Sequence, residues 1–153
     1  RPHLYLASGV IPELQLEALA AHLSKDPAPG RPIVLTLHYP ILDRHGKIYD
    51  GKKHGLLNAR ALIDVLNHAA RKPTLILHGH EHHGFRVDLP LGSSTVPIFD
   101  CGSSGYAYLP ELRRTASMNV YTFDNAELKG VERYMFDGES FKPEEGGAYA
   151  TGR

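Results

Sequence analysis

Two short apolar runs of the same design constrain this chain most. Ile33-Val34-Leu35-Thr36-Leu37 follows Pro32 and ends in His38-Tyr39-Pro40, while Thr74-Leu75-Ile76-Leu77 follows Pro73 and ends in His78-Gly79-His80-Glu81-His82-His83. Apolar runs this short, bounded by proline and rich in Leu and β-branched residues, read as buried strands. Between them Leu62, Val65, Leu66 and Ala69 recur along one helix face, predicting a helix over 56–70 that Arg71, Lys72 and Pro73 close. Strand, helix, strand makes the two runs parallel neighbours, over 33–37 and 74–78, joined by a right-handed crossover. Both then deliver imidazole at their carboxyl ends, where open α/β sheets bind ligands.

The flanking sequence completes one domain. A strand within 3–9 runs into a turn, and Leu16, Leu19, Ala20 and Leu23 predict a helix over 12–24, with Pro12 in its first turn and the proline-rich stretch 26–32 ending it. Residues 39–54 are polar and long for a connection, with Asp43, Arg44, His45, Lys47, Asp50, Lys52, Lys53 and His54; loops of this length are often functional, and a solvated loop is the commoner alternative. After the histidine cluster come strands without helices, over 85–89, 96–100, 119–123 and 127–136, the last two joined at Asp124-Asn125-Ala126. The expectation is an α/β domain with mixed sheets over 1–136, followed by a Gly- and Glu-rich, loosely ordered tail over 137–153.

Composition removes several function classes. With 153 residues and 42% hydrophobic content the chain can bury a core. Lys plus Arg and Asp plus Glu number 17 each, so no basic face is implied, no nucleic-acid partner is expected, and any phosphate chemistry must be local. The single cysteine, Cys101, cannot form an intrachain disulfide, which fits a reducing compartment and points to the cytoplasm. No apolar run approaches the roughly 20 residues of a membrane helix, so no membrane partner is expected, and the amino terminus lacks a signal core. The chain opens on Arg1 rather than Met, and residues preceding it are expected.

Neutral imidazole is the commonest side-chain ligand of borderline divalent metals. His80 and His82 lie two residues apart, so an extended segment points both rings to one side, with Gly79 allowing a tight turn. His38 reaches the same place from the adjacent parallel strand, roughly 5 Å away. His38, His80 and His82 are therefore the candidate metal ligands. His78 and His83 are assigned to orienting or loop roles, and His3, His22, His45, His54 and His68 to the solvated surface.

Leu37-His38-Tyr39-Pro40 and Leu77-His78-Gly79-His80-Glu81-His82 resemble the His-x-Pro and Gly-His-x-His motifs of the calcineurin-like metallophosphoesterase family. Ser8-Gly9-Val10-Ile11 with Gln15, Leu16 and Leu19 is similar to its lead-in helix, and Gly55-Leu56-Leu57-Asn58 to the segment after the His-x-Pro loop, so the resemblance spans residues 4–136. It implies the carboxyl-terminal half of a four-layer α-β-β-α sandwich with mixed sheets. It further implies that His38 and His80 bind one ion of a dinuclear pair and His82 the other. In that family two divalent ions, about 3.5–4 Å apart, polarise the phosphoryl group and activate water for in-line attack. Mn, Fe, Zn or Co suits imidazole.

The family's earlier motifs, Asp-x-His, Gly-Asp-x-x-Asp and Gly-Asn-His-Asp or -Glu, are absent. Asp43-Arg44-His45 carries the letters of the first only by coincidence, because it follows the His-x-Pro block, and Asn67-His68 lies inside a helix. The bridging carboxylate and the catalytic histidine belong to those motifs, so no catalytic residue is expected in this chain. Three neutral imidazoles cannot offset two divalent ions. The expectation is an inactive half, completed by the amino-terminal half of the same enzyme or by a second chain, that together hydrolyse a phosphate ester, a phosphodiester first. Two other readings remain open. His78-Gly79-His80-Glu81-His82-His83 matches the His-x-His-x-Asp-His motif of metallo-β-lactamase-like hydrolases except at His82, and the missing carboxylates fit a non-catalytic metal-binding or scaffold module.

Overall fold

The computed structural model of the chain describes residues 2–3, 6–25, 29–49 and 54–150. A hairpin of β1 (Pro2–His3) and β2 (Leu6–Gly9) leads into α1 (Glu13–Leu23). Pro12 is the residue before the helix rather than its first member, and its carbonyl accepts from the Gln15 and Leu16 amides at 2.9 and 3.1 Å. Leu16 and Leu23 are buried and Leu19 and Ala20 half-buried, as the spacing predicts.

α2 (Ala59–His68) is shorter than the predicted 56–70 because its flanks are committed elsewhere. The Asn58 side chain donates to the Ile11 carbonyl at 2.8 Å and accepts from the Ile11 amide at 3.0 Å, tying the helix start to the β2–α1 link. At the other end Ala69 is already extended, and Lys72 Nζ donates to the carbonyls of Asn67 and Ala69, both at 2.9 Å.

The main sheet has the order β3-β4-β6-β5, from β3 (Val34–Thr36), β4 (Leu75–His78), β5 (Phe85–Leu91) and β6 (Ser94–Asp100). β3 and β4 are parallel as expected, from Val34↔Leu75 to Thr36↔Leu77, and β6 runs parallel to β4 with His78 opposite Asp100. β5 pairs antiparallel with β6 through the two-residue turn Gly92-Ser93, where Gly92 has φ +62°. This is an α/β fold with mixed and antiparallel sheets.

One face of the sheet packs on the helices. Ile76, Val96, Ile98, Leu89 and Leu91 share a core with Leu16, Leu23, Leu62 and Leu66. On the other face Phe99 meets Tyr121 and Tyr149, ring centroids 5.3 and 5.9 Å apart. These belong to a second sheet of β7 (Ser117–Asp124), β8 (Glu127–Phe136) and β9 (Phe141–Pro143), and to the segment after it. The β7–β8 turn is tied to β4 by Thr74 Oγ1, which donates to the Ala126 carbonyl at 3.0 Å.

The stretch expected to be loosely ordered is anchored in its described part, up to residue 150. β9 pairs with β8, and Tyr149 Oη donates to the Asp100 carbonyl at 2.9 Å while the Arg133 guanidinium lies 4.9 Å over its ring. Its Gly and Glu content concealed one aromatic residue with a buried place to dock. No described helix is long and apolar enough to cross a membrane.

Candidate metal-ligand site at the strand ends

The parallel ladder of β3 and β4 runs past both strands and carries the histidines with it. Leu37 N donates to Leu77 O at 3.0 Å, and Gly79 N to His38 O at 3.2 Å, so the backbones of His38 and Gly79 are held side by side. The chain then turns sharply at His80. Its φ is +78°, and Glu81 N donates to Gly79 O at 3.0 Å across it, a γ-turn of the rare positive-φ kind. A non-glycine residue in this conformation is strained, and such strain concentrates at ligand and active sites.

The turn brings His80 Nδ1 to 3.2 Å from His38 Nε2. Two nitrogens bound to one ion at about 2.0–2.1 Å, with angles between about 90° and the tetrahedral value, lie roughly 2.9–3.4 Å apart. The contact is a hydrogen bond between the two rings, and its length also falls within the range of two ligands on one cation. Burial, followed by the charge of His38, lowers the His80 pKa, which favours the neutral form that ligates. A backbone hydrogen bond to Ala7 acts the other way, raising the His80 pKa, without reversing the shift.

His82 does not join them. Its φ is +59°, so the segment is not extended and the expected same-side placement of His80 and His82 is corrected. The reason is local: the chain makes two positive-φ bends in three residues, at histidines rather than at Gly79. The His82 ring packs edge-on to Tyr106, centroids 5.7 Å apart. Among the described residues no three His, Cys, Asp or Glu side chains converge as a ligand set.

The pair is supported from several sides. The Tyr39 ring lies 4.8 Å from both imidazoles and rests on Gly9, where a Cβ would come within 2.1 Å of it. Tyr49 Oη donates to Glu81 Oε1 at 2.8 Å, and burial together with that bond pushes the phenol up to about 12. Residues 42–48 form a tight turn in which Asp43 Oδ1 accepts from the His45 and Lys47 amides at 2.8 and 3.0 Å. Asp43 is thus engaged in the turn, consistent with the coincidental reading of Asp43-Arg44-His45. Asp50, Lys52 and Lys53 lie outside the described residues.

Sequence reasoning missed three residues. His54, assigned to the solvated surface, has its ring 6.0 Å from that of His80. Glu81 is the anchor for Tyr49, and nothing in its spacing signals this. Asp100 ends the apolar run of β6 as the histidines end β3 and β4, and that pattern could have flagged it. His78 and Asp100 face each other with side chains fully buried, Nδ1 to Oδ2 3.4 Å, and His78 Nδ1 also lies 3.0 Å from Gly79 O. With carbonyl and carboxylate oxygens beside it, Nδ1 is the nitrogen placed to donate, while His78 Nε2 and Asp100 Oδ2 are buried without a hydrogen-bond partner. His78 thus braces the base of the turn from within the sheet. His83 is exposed and lies 6.1 Å from Tyr106, and His68 and His22 are exposed on their helices. The His3 side chain lies outside the described residues. Neither a protein-family model nor a curated protein matches the chain.

Proposed function

We propose that this chain is the carboxyl-terminal half of a calcineurin-like metallophosphoesterase, in the family's four-layer sandwich, and that His38 and His80 hold one ion of a dinuclear site. The observation that carries the reading is the 3.2 Å approach of two imidazole nitrogens from adjacent parallel strand ends, one of them in a strained turn. His82, on the far side of that turn, is the ligand assigned to the second ion. Two divalent ions of Mn, Fe, Zn or Co, when bound, polarise a phosphate ester, a phosphodiester first, for attack by water. This chain's own residues position the site. His38 and His80 bind, Tyr39 fixes both rings, and the Tyr49–Glu81 bond closes the neighbouring turn on them.

The carboxylates come from the amino-terminal half or from a second chain, and the edge of β3 is where that half adds. Among the described strands β3 ends the sheet order, which makes its outer edge the place for a further strand to pair. The approach of His38 to His80 favours this reading over the metallo-β-lactamase-like one, in which His38 has no role.

The test is a Zn(II) or Co(II) titration of the chain, followed by assay of the chain together with its completing half on bis-p-nitrophenyl phosphate. One ion is expected to bind the chain, lost in His38→Ala and in His80→Ala, with no turnover until the other half is added. Binding that survives His38→Ala contradicts the site, and a completed protein that binds metal without turnover leaves the scaffold reading.

A further inference from the structure

A cleft of about 1230 Å³ opens beside His82, between the turn that carries it, the 106–115 loop and the outer strands of the second sheet. His38 and His80 stand outside its lining, so it is separate from the histidine pair and adjoins it through His82. The chain has equal numbers of acidic and basic residues, yet the lining carries five Arg and one Lys against one Asp and two Glu. Three of those cations are paired: Lys142 with Asp137, Arg133 with Glu144 and Arg86 with Asp88, the last two at 3.6 Å. Arg44, Arg113 and Arg114 make no ion pair among the described residues, and all three are exposed.

Aromatic rings stand among these cations. Arg114 lies 5.9 Å over Tyr106, and Tyr108 packs edge-on to Phe136 with centroids 6.0 Å apart. Unpaired guanidiniums recognise phosphate or carboxylate oxygens, and tyrosine and guanidinium faces stack on planar rings. Ligand pockets usually span about 300–1,000 Å³, so a cleft of this size takes a ligand far larger than inorganic phosphate.

We propose that this cleft binds a nucleotide-like ligand: a planar aromatic ring against Tyr106 and Tyr108, with its negative group on Arg44, Arg113 and Arg114. The inference deepens the phosphoesterase reading, on which it rests only in making this ligand the organic part of the ester that reacts beside His82. Binding in the cleft itself requires no metal.

The experiment is calorimetric titration of the metal-free chain with AMP, adenosine, ribose 5-phosphate and inorganic phosphate, at low and physiological salt. AMP is expected to bind at least tenfold more tightly than the other three, more weakly as salt rises. Arg44→Gln with Arg113→Gln, neither of which contacts the Tyr106 ring, should weaken AMP at least tenfold while leaving adenosine unchanged, and Tyr106→Ala should weaken AMP and adenosine alike. Both arginines are exposed, and an unchanged thermal midpoint verifies that the variant folds. Inorganic phosphate binding as tightly as AMP, AMP binding indifferent to the arginine pair, or no AMP binding each overturns the proposal. His38→Ala with His80→Ala separates the two ideas: AMP binding that persists in this variant supports the cleft whether or not the chain binds metal, and AMP binding lost with the histidines overturns it.

Discussion

The close packing of Gly9 under Tyr39 gives a quantitative handle on the histidine pair. A Cβ at position 9 would lie 2.1 and 2.2 Å from Tyr39 Cδ2 and Cε2 and 3.1 Å from Cγ. Carbon atoms in contact sit about 3.5–4.0 Å apart, so the ring must retreat by roughly 1.3–1.9 Å. The conflict falls on the body of the ring rather than its tip, and that ring packs 4.8 Å from both His38 and His80. Overpacking of this kind costs about 1–3 kcal/mol. In a domain of this size each kcal/mol lowers the melting temperature by about 2–4 °C, so Gly9→Ala should melt roughly 2–12 °C below the parent. Because the displaced ring supports both imidazoles, metal affinity should fall as well. Gly79→Ala is the control, since its Cβ would meet only His38 Nδ1, at an ordinary 3.9 Å, and Gly79 has no positive φ. Calorimetric melting of the two single variants, and of Gly9→Ala placed in a Tyr39→Ala background, tests the argument as a cycle. Removing the ring should make Gly9→Ala nearly neutral. An unchanged melting temperature in Gly9→Ala, or the same loss with and without the Tyr39 ring, refutes it.

Other consequences are measurable by unfolding. Tyr149 Oη donates to Asp100 O and accepts from Asn119 Nδ2 at 2.6 Å, so Tyr149→Phe should cost about 1–3 kcal/mol in urea denaturation, whereas a solvated tail predicts no change. Leu66 is fully buried between helices and sheet, and Leu66→Ala should cost about 2–5 kcal/mol; a loss under 1 kcal/mol counters the assigned core. Burial pushes the Tyr121 phenol up to about 12 from 10.0, and Tyr149 rises for the same reason. Between those values the folded chain holds more protons than the unfolded one, so this stability is fully present below pH 10 and is lost as pH rises towards 12. Tyr121→Phe should flatten that alkaline decline, and an equally steep decline in the variant excludes this phenol as its source.

The β3–α2–β4 unit was legible because its signals are local. Leu62, Val65 and Leu66 fall on the buried or half-buried face of α2, with Ala69 buried just past its end, and the two apolar runs pair in register, since periodicity and proline punctuation act within a few residues. The resemblance rests on the same short motifs, and those residues placed His38 and His80 in one neighbourhood. Which imidazoles meet was decided by φ at His80 and His82, a backbone choice that Gly79 alone would not have revealed, because neighbouring hydrogen bonds and packing impose it.

The amino-acid sequence by itself determined the order of elements, the parallel pair and the delivery of histidine to two strand ends. Tertiary structure decided the contacts between residues distant along the chain. It set His78 against Asp100, latched Tyr49 to Glu81, docked Tyr149 under Arg133, and gathered basic side chains from an electrically balanced chain into one cleft. Composition sums charge over the whole chain and periodicity reports one element at a time, whereas each of these contacts depends on how separate elements come together in space.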